Sequence, residues 1–152
     1  MTILLLDPHA YVWALTDPDR LSRRARTAIE SPSNALLVSA ATAWEMAIKH
    51  RAGKWPEAEI LLAQHNDLTS RLGAESLDIS PADAIRDGSL VWDHADPVDR
   101  TLAAQSPLHQ APPVTRTPAF GHPRAPAPIL PVRLPPCSAR CCAPGSRPSR
   151  SS

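Results

Sequence analysis

No carboxylate follows Asp99: all fifteen Asp and Glu of this 152-residue chain lie at or before it. Cysteine is confined to Cys137, Cys141 and Cys142, an odd number without paired ligand spacing, which argues against both a closed disulfide framework and a zinc site. No apolar run approaches eighteen residues, and the first, Ile3 to Leu6, stops at Asp7 after four, so neither a membrane span nor a signal peptide is expected. A cytoplasmic protein without membrane attachment is the default expectation.

What is present divides the chain. Residues 1–105 carry ten Lys or Arg against fifteen acids, a net charge of −5, whereas residues 106–152 carry six Arg and no acid, a net of +6. Twelve of the eighteen prolines lie at or after Pro107. The expected organisation is a folded domain over 1–120, clearest to about 105, and a Pro/Arg-rich, disordered tail over 121–152. The acidic body argues against a broad cationic surface for nucleic acid, although clustered carboxylates can recruit metal and so alter the local field, and net charge does not settle the partner.

Ile3–Leu6 reads as a buried strand that delivers Asp7 at its carboxyl end, with Pro8 opening a helix. Asp7 is equally suited to be that helix's cap. Ser22 caps a helix to about Glu30, and Leu36–Val38 form a second buried strand. Ser39 then caps a helix whose buried stripe is expected to include Ala40, Trp44, Ala47 and Ile48, with Glu45 at its margin and Gly53 beyond its end. A helical stretch over Glu57–Leu72, a weak strand over Ser76–Ile79 and a short helix started by Ser80, Pro81 and Asp83 follow. In WDHADPVDRTLAAQ, Asp96 caps a helix opened by Pro97, and Asp99 lies in its first turn. From Pro107 onward regular periodicity fades. Strands alternating with helices over short connections predict a parallel sheet covered by helices.

Each of Asp7, Glu45, Asp96 and Asp99 has an ordinary explanation as a cap or a solvated helix residue. Together, LLLDPH, SAATAWEMAIKHRAGK and HADPVDRTLAAQ resemble, in order and spacing, the PIN-domain ribonucleases, specifically the VapC-type toxins of toxin–antitoxin pairs. The resemblance implies an α/β fold, an α/β/α sandwich with a short parallel sheet, here incomplete at its C-terminal edge. It further implies Mg²⁺ or Mn²⁺ held by Asp7, Glu45 and Asp99 with help from Asp96, RNA as substrate, a VapB-type antitoxin as partner and a homodimer. Two positions depart from the pattern. Pro8 replaces the small hydroxyl residue usual after the first Asp, and VTRTPAF (Val114 to Phe120) carries Thr117 where a fourth acid is expected. The loss of acids and gain of Pro, Arg and Cys beyond this point resembles divergence or a shifted reading frame.

The chemistry suits the residues. Hydrolysing a phosphodiester needs an activated water and charge stabilisation at phosphorus, and a divalent ion held by carboxylates supplies both. Without it, Asp7, Glu45 and Asp99 repel one another and at least one pKa should rise. His9, His94 and His109 lack ligand spacing, and the four tryptophans are better read as core or interface, Trp44 above all. A phosphatase using Asp7 as nucleophile would want an acid where His9 stands. The competing reading from another class is a non-catalytic remnant that binds an antitoxin.

Overall fold

The computed structural model describes residues 1–121 and 130–131. The Ile3–Leu6 run becomes the central strand β1, followed by α1 (Pro8–Thr16), α2 (Arg23–Glu30), β2 (Ala35–Ser39), α3 (Ala40–Arg51), α4 (Ala58–Ala63) and α5 (His65–Arg71). Then come β3 (Ala74–Leu77), α6 (Pro81–Ser89), α7 (Pro97–Leu108), β4 (Pro113–Thr115) and a two-residue β5 (Leu130–Pro131). All strands run parallel in the order β3-β2-β1-β4-β5. The register aligns Leu6 with Val38 on one side and with Val114 on the other, so the carboxyl ends of β1, β2 and β4 lie together.

Period-two alternation places successive side chains of a strand on opposite faces. Leu4 and Leu6 pack on one face with Tyr11, Trp13, Leu36, Val38 and Met46. Leu5 packs on the other with Ala41, Val98, Leu102, Ala103 and Phe120. Two apolar layers on either side of one short sheet make the expected α/β/α sandwich. Caps fix the helix starts: Ala10 N–H donates to Asp7, Ala25 N–H to Ser22 and Ala41 N–H to Ser39. Ser80 and Asp83 form a reciprocal capping box. Gly53 and Gly73 follow α3 and α5 with φ of 68° and 71°, the left-handed region a glycine terminator supplies at no steric cost.

Several local expectations need correction. The buried residues of α3 are Ala41, Thr42 and Met46, whereas Trp44 is 51% and Ile48 42% exposed. The Thr42 hydroxyl donates to the Leu6 carbonyl, which pins the helix in this rotation, and the larger apolar set turns outward. The Glu57–Leu72 stretch is two helices that break at Gln64. β3 begins two residues earlier than expected, directly after Gly73. α7 runs through Pro107, which sits in its last turn and removes only one donor there. The expected disorder over 121–152 falls mostly outside the described residues. Among those described, no helix is long and apolar enough to cross a membrane.

Candidate active site

β1 ends at Leu6, so Asp7 stands at the carboxyl edge of the sheet and caps α1 at once. One carboxylate oxygen, Oδ1, accepts from Ala10 N–H at 2.5 Å, and the other, Oδ2, from Arg116 N–H at 3.3 Å. The cap and site readings of this residue are therefore compatible. The chain visits β1, β2 and β3 in one direction and then crosses to β4 on the other side of β1. The β1/β4 boundary is thus the point where strand order reverses, and ligands of open α/β sheets bind in the crevice there. Asp7 lies on it.

Glu45 sits one turn into α3, partly buried, with its carboxylate paired to Lys49 on the next turn. Asp96 caps α7 by accepting from Val98 N–H at 2.9 Å and Asp99 N–H at 3.3 Å, and it remains exposed. Asp99 is half-buried in the first turn of α7. Its Oδ2 lies 2.7 Å from His94 Nε2, and its Oδ1 accepts from the Thr117 hydroxyl at 3.5 Å. Thr117, which follows β4, therefore does reach the acid cluster.

Three of these acids are raised from their ordinary range, chiefly by burial. Burial is the main reason the Asp7 carboxyl is raised to about 6; bonds from Ala10, Thr115 and Arg116 oppose it, and the charge of Asp99 adds to it. Glu45 is raised by burial against the pull of Lys49, with Asp96 and Asp99 pushing the same way. Asp99 is raised by burial and by Asp96, against His94 and Thr117. Four carboxylates from three helix starts thus lie within one another's field, only partly offset by Lys49 and His94, and carboxylate oxygens are the donor chemistry of a hard divalent cation. Yet among the described residues no group of three or more His, Cys, Asp or Glu side chains is placed so that it could hold a metal ion. The carboxylates are turned instead toward Lys49, His94, Thr117 and backbone N–H groups.

Beside the acids lies a second cluster. His9 stacks on Trp55 with ring centroids 5.2 Å apart and meets Trp13 edge-on at 5.7 Å. Arg20 and Arg116 lie 4.4 and 5.8 Å from the Trp13 ring, and Lys49 Nζ lies 5.6 Å from that of Trp55. Burial, then Arg116, Lys49 and Arg20, push His9 down to about 4, leaving it neutral at pH 7. His109 is elsewhere, paired with Asp83 at 3.1 Å.

Sequence reasoning missed Lys49, His94 and Arg116 as partners of the acids. The Glu45–Lys49 spacing of four was a visible signal. The His94–Asp99 and Arg116–Asp7 contacts depend on how loops return over the sheet, and no periodicity reports that.

In overall shape the chain is similar to a solved structure of VapBC2 from Rickettsia felis, described as bound to a DNA fragment from the promoter. The TM-score is 0.61 at 17% identity, covering 87% of this chain and all of that one. A toxin–antitoxin complex from Klebsiella pneumoniae aligns more loosely, with a TM-score of 0.49 at 22% identity over 83% of this chain and 99% of that one. No curated protein matches by sequence. The PIN domain family model matches residues 4–122, most of the chain and all three acid-bearing motifs, so this protein belongs to the PIN domain family, whose members are in general nucleases.

Proposed function

We propose that this protein is a divalent-metal-dependent endoribonuclease of the VapC toxin type. The observation that carries the reading is the convergence of Asp7, Glu45, Asp96 and Asp99 at the strand-order reversal, with three of the four pushed above their ordinary carboxylate range. Asp7, Glu45 and Asp99, assisted by Asp96, would hold Mg²⁺ or Mn²⁺. When bound, such an ion lowers the pKa of water and polarises phosphoryl oxygens. The protein's own part is to hold the carboxylates: Ala10 and Arg116 N–H groups fix Asp7, and His94, stacked on Trp92 with centroids 4.5 Å apart, fixes Asp99. Lys49 pairs with Glu45 and opposes the rise that burial imposes on its carboxyl. Thr117 offers a neutral hydroxyl where an acid would complete the site, which weakens a second ion position more than the first. The proposal includes a VapB-type antitoxin, a homodimer, a cytoplasmic location and a functional domain ending near residue 120.

A second reading, a non-catalytic remnant that still binds an antitoxin, is favoured by the open arrangement of the acids and by Thr117. The experiment that separates the two is cleavage of a labelled structured RNA in Mn²⁺ by the parent, by Thr117→Asp, and by Thr117→Asp combined with Asp7→Asn. Under the nuclease reading the first substitution raises the rate and the pair abolishes it. Absence of cleavage by all three, from folded protein, leaves the remnant.

A further inference from the structure

We propose that Trp92, fastened by Arg100, is the positioning residue of Asp99, because it holds in place both groups that grip the Asp99 carboxylate. The part of Asp99 in catalysis rests on the nuclease reading; the clamp itself rests on geometry.

The first observation is that Asp99 is gripped at both oxygens by residues from outside its own helix. His94 Nε2 lies 2.7 Å from Oδ2, and the Thr117 hydroxyl donates to Oδ1 at 3.5 Å. His94 comes from the irregular segment between α6 and α7, and Thr117 from the turn after β4. Neither segment has a helix or sheet ladder to fix where its side chains stand.

The second observation is that both grips lead to one ring. Trp92 stacks on His94 with centroids 4.5 Å apart and planes at 22°, and it meets Phe120 edge-on at 5.3 Å and 65°. These are the two arrangements that aromatic rings prefer. Phe120 is 2% exposed in the layer below, and its N–H donates to the Thr117 carbonyl at 3.3 Å, closing the turn that carries the hydroxyl. Trp92 therefore supports His94 directly and Thr117 through Phe120.

The third is what supports Trp92. Neighbouring residues on a helix point about 100° apart, so Arg100 looks away from the acids although it follows Asp99. Its guanidinium donates to the carbonyls of Trp92 at 2.6 Å, Asp87 at 2.7 Å and Leu90 at 3.2 Å, and its Nε lies 3.3 Å from the Asp87 carboxylate. The Thr101 hydroxyl donates to the other Asp87 oxygen at 2.9 Å. Backbone carbonyls that no ladder satisfies are thus met by one rigid fork of donors. Leu90 and Trp92 turn inward against the Leu5–Phe120 layer, while Val91 between them is fully exposed. The first turns of α7 hold the loop, and the loop holds the acid of the first turn.

The test reads the grip on Asp99 without metal and without turnover. The full chain is prepared with isotope-labelled histidine, and the imidazole signals of His94 are assigned by their disappearance in His94→Gln. Asp99→Asn marks where they move when the carboxylate is gone. Trp92→Leu and Arg100→Met should move them in that same direction. Arg100→Lys should move them by less, because an ammonium keeps the charge but cannot reach three carbonyls as the fork does. Trp92→Phe, which retains a stacking ring, should restore the parent position. Unmoved signals in folded Arg100→Met and Arg100→Lys overturn the clamp, as does a Trp92→Phe protein that behaves like Trp92→Leu. Where Trp92→Leu or Arg100→Met does not fold, Arg100→Lys and Trp92→Phe decide. A Mn²⁺ titration of the same proteins tests the nuclease reading separately: loss of such outer support should weaken metal binding about tenfold or more. Unchanged Mn²⁺ affinity in variants whose His94 signals have moved removes Asp99 from the metal site and overturns that part of the nuclease reading alone.

Discussion

Two aspartates lie almost wholly buried at the starts of helices, Asp7 before α1 at 2% exposure and Asp83 in the first turn of α6 at 0%. Burial alone disfavours the charged form of both. At Asp83 that effect is outweighed: Ser80 donates through its N–H at 2.8 Å and its hydroxyl at 2.7 Å, His109 lies at 3.1 Å, and the carboxyl falls below its ordinary value. At Asp7 the bonds from Ala10, Thr115 and Arg116 do not suffice, and the nearby Asp99 adds repulsion. One acid is satisfied by its own chain. The other keeps a carboxyl raised to about 6, chiefly by its burial.

The largest way to break this contrast is to remove the satisfied acid. Asp83→Ala leaves Ser80 and His109 without their partner and should destabilise the protein by about 3–4 kcal/mol, read from chemical denaturation. The same kind of cut at Asp7 should do the opposite. The folded pKa of Asp7 lies near 6 against 3.8 unfolded, so between these values the unfolded chain has already released a proton that the native state keeps. Metal-free protein should therefore lose stability as pH rises from about 4 to 6, by roughly 3 kcal/mol at one unit per 1.36 kcal/mol, and Asp7→Asn, which retains a competent cap, should flatten that decline. Asp83 works in reverse: its contribution is present above the unfolded value and is lost as pH falls through the lowered folded one. Adding Mn²⁺ at 100 times its dissociation constant should restore about 2.7 kcal/mol at pH 7.5, and Glu45→Gln should remove most of that gain in thermal melts.

The smallest effect sharpens a comparison on α3. Met46→Ala should cost about 2–4 kcal/mol, and Trp44→Ser less than about 0.5 kcal/mol, although Trp is the larger apolar residue. Equal losses would mean that Trp44 is covered in solution.

That pair also marks where sequence reading ends. The strands of Ile3–Leu6 and Leu36–Val38 were legible because a short apolar run between polar signals has few alternatives, and the caps Asp7, Ser22, Ser39, Ser80 and Asp96 because each is followed at once by N–H groups that need an acceptor. Spacing brought Glu45 to the edge of its helix, but α3 carries two apolar sets about a residue apart. The choice between them was made by the Thr42 contact with Leu6, 36 residues away. Gln64 carries no breaker residue, so the division of the Glu57–Leu72 helix left no trace. The four acids were legible as a pattern; their present partners Lys49, His94 and Arg116 were not, because a side chain's neighbour across the fold is a property of packing.

β1 receives its last neighbour late. Leu5 N–H donates to the Pro112 carbonyl and Asp7 N–H to that of Val114, both at 3.1 Å, and the Asp7 carboxylate draws its second bond from Arg116, 109 residues downstream. At a synthesis rate of about 5–20 residues per second, roughly 5–20 s pass between the ribosome's addition of Asp7 and of Arg116. Throughout that interval one edge of the central strand stays unpaired and the acid that heads it stays half-tethered. The setting of Asp7 is thus a timed object as well as a placed one: it is complete only when the strand beside it has been made.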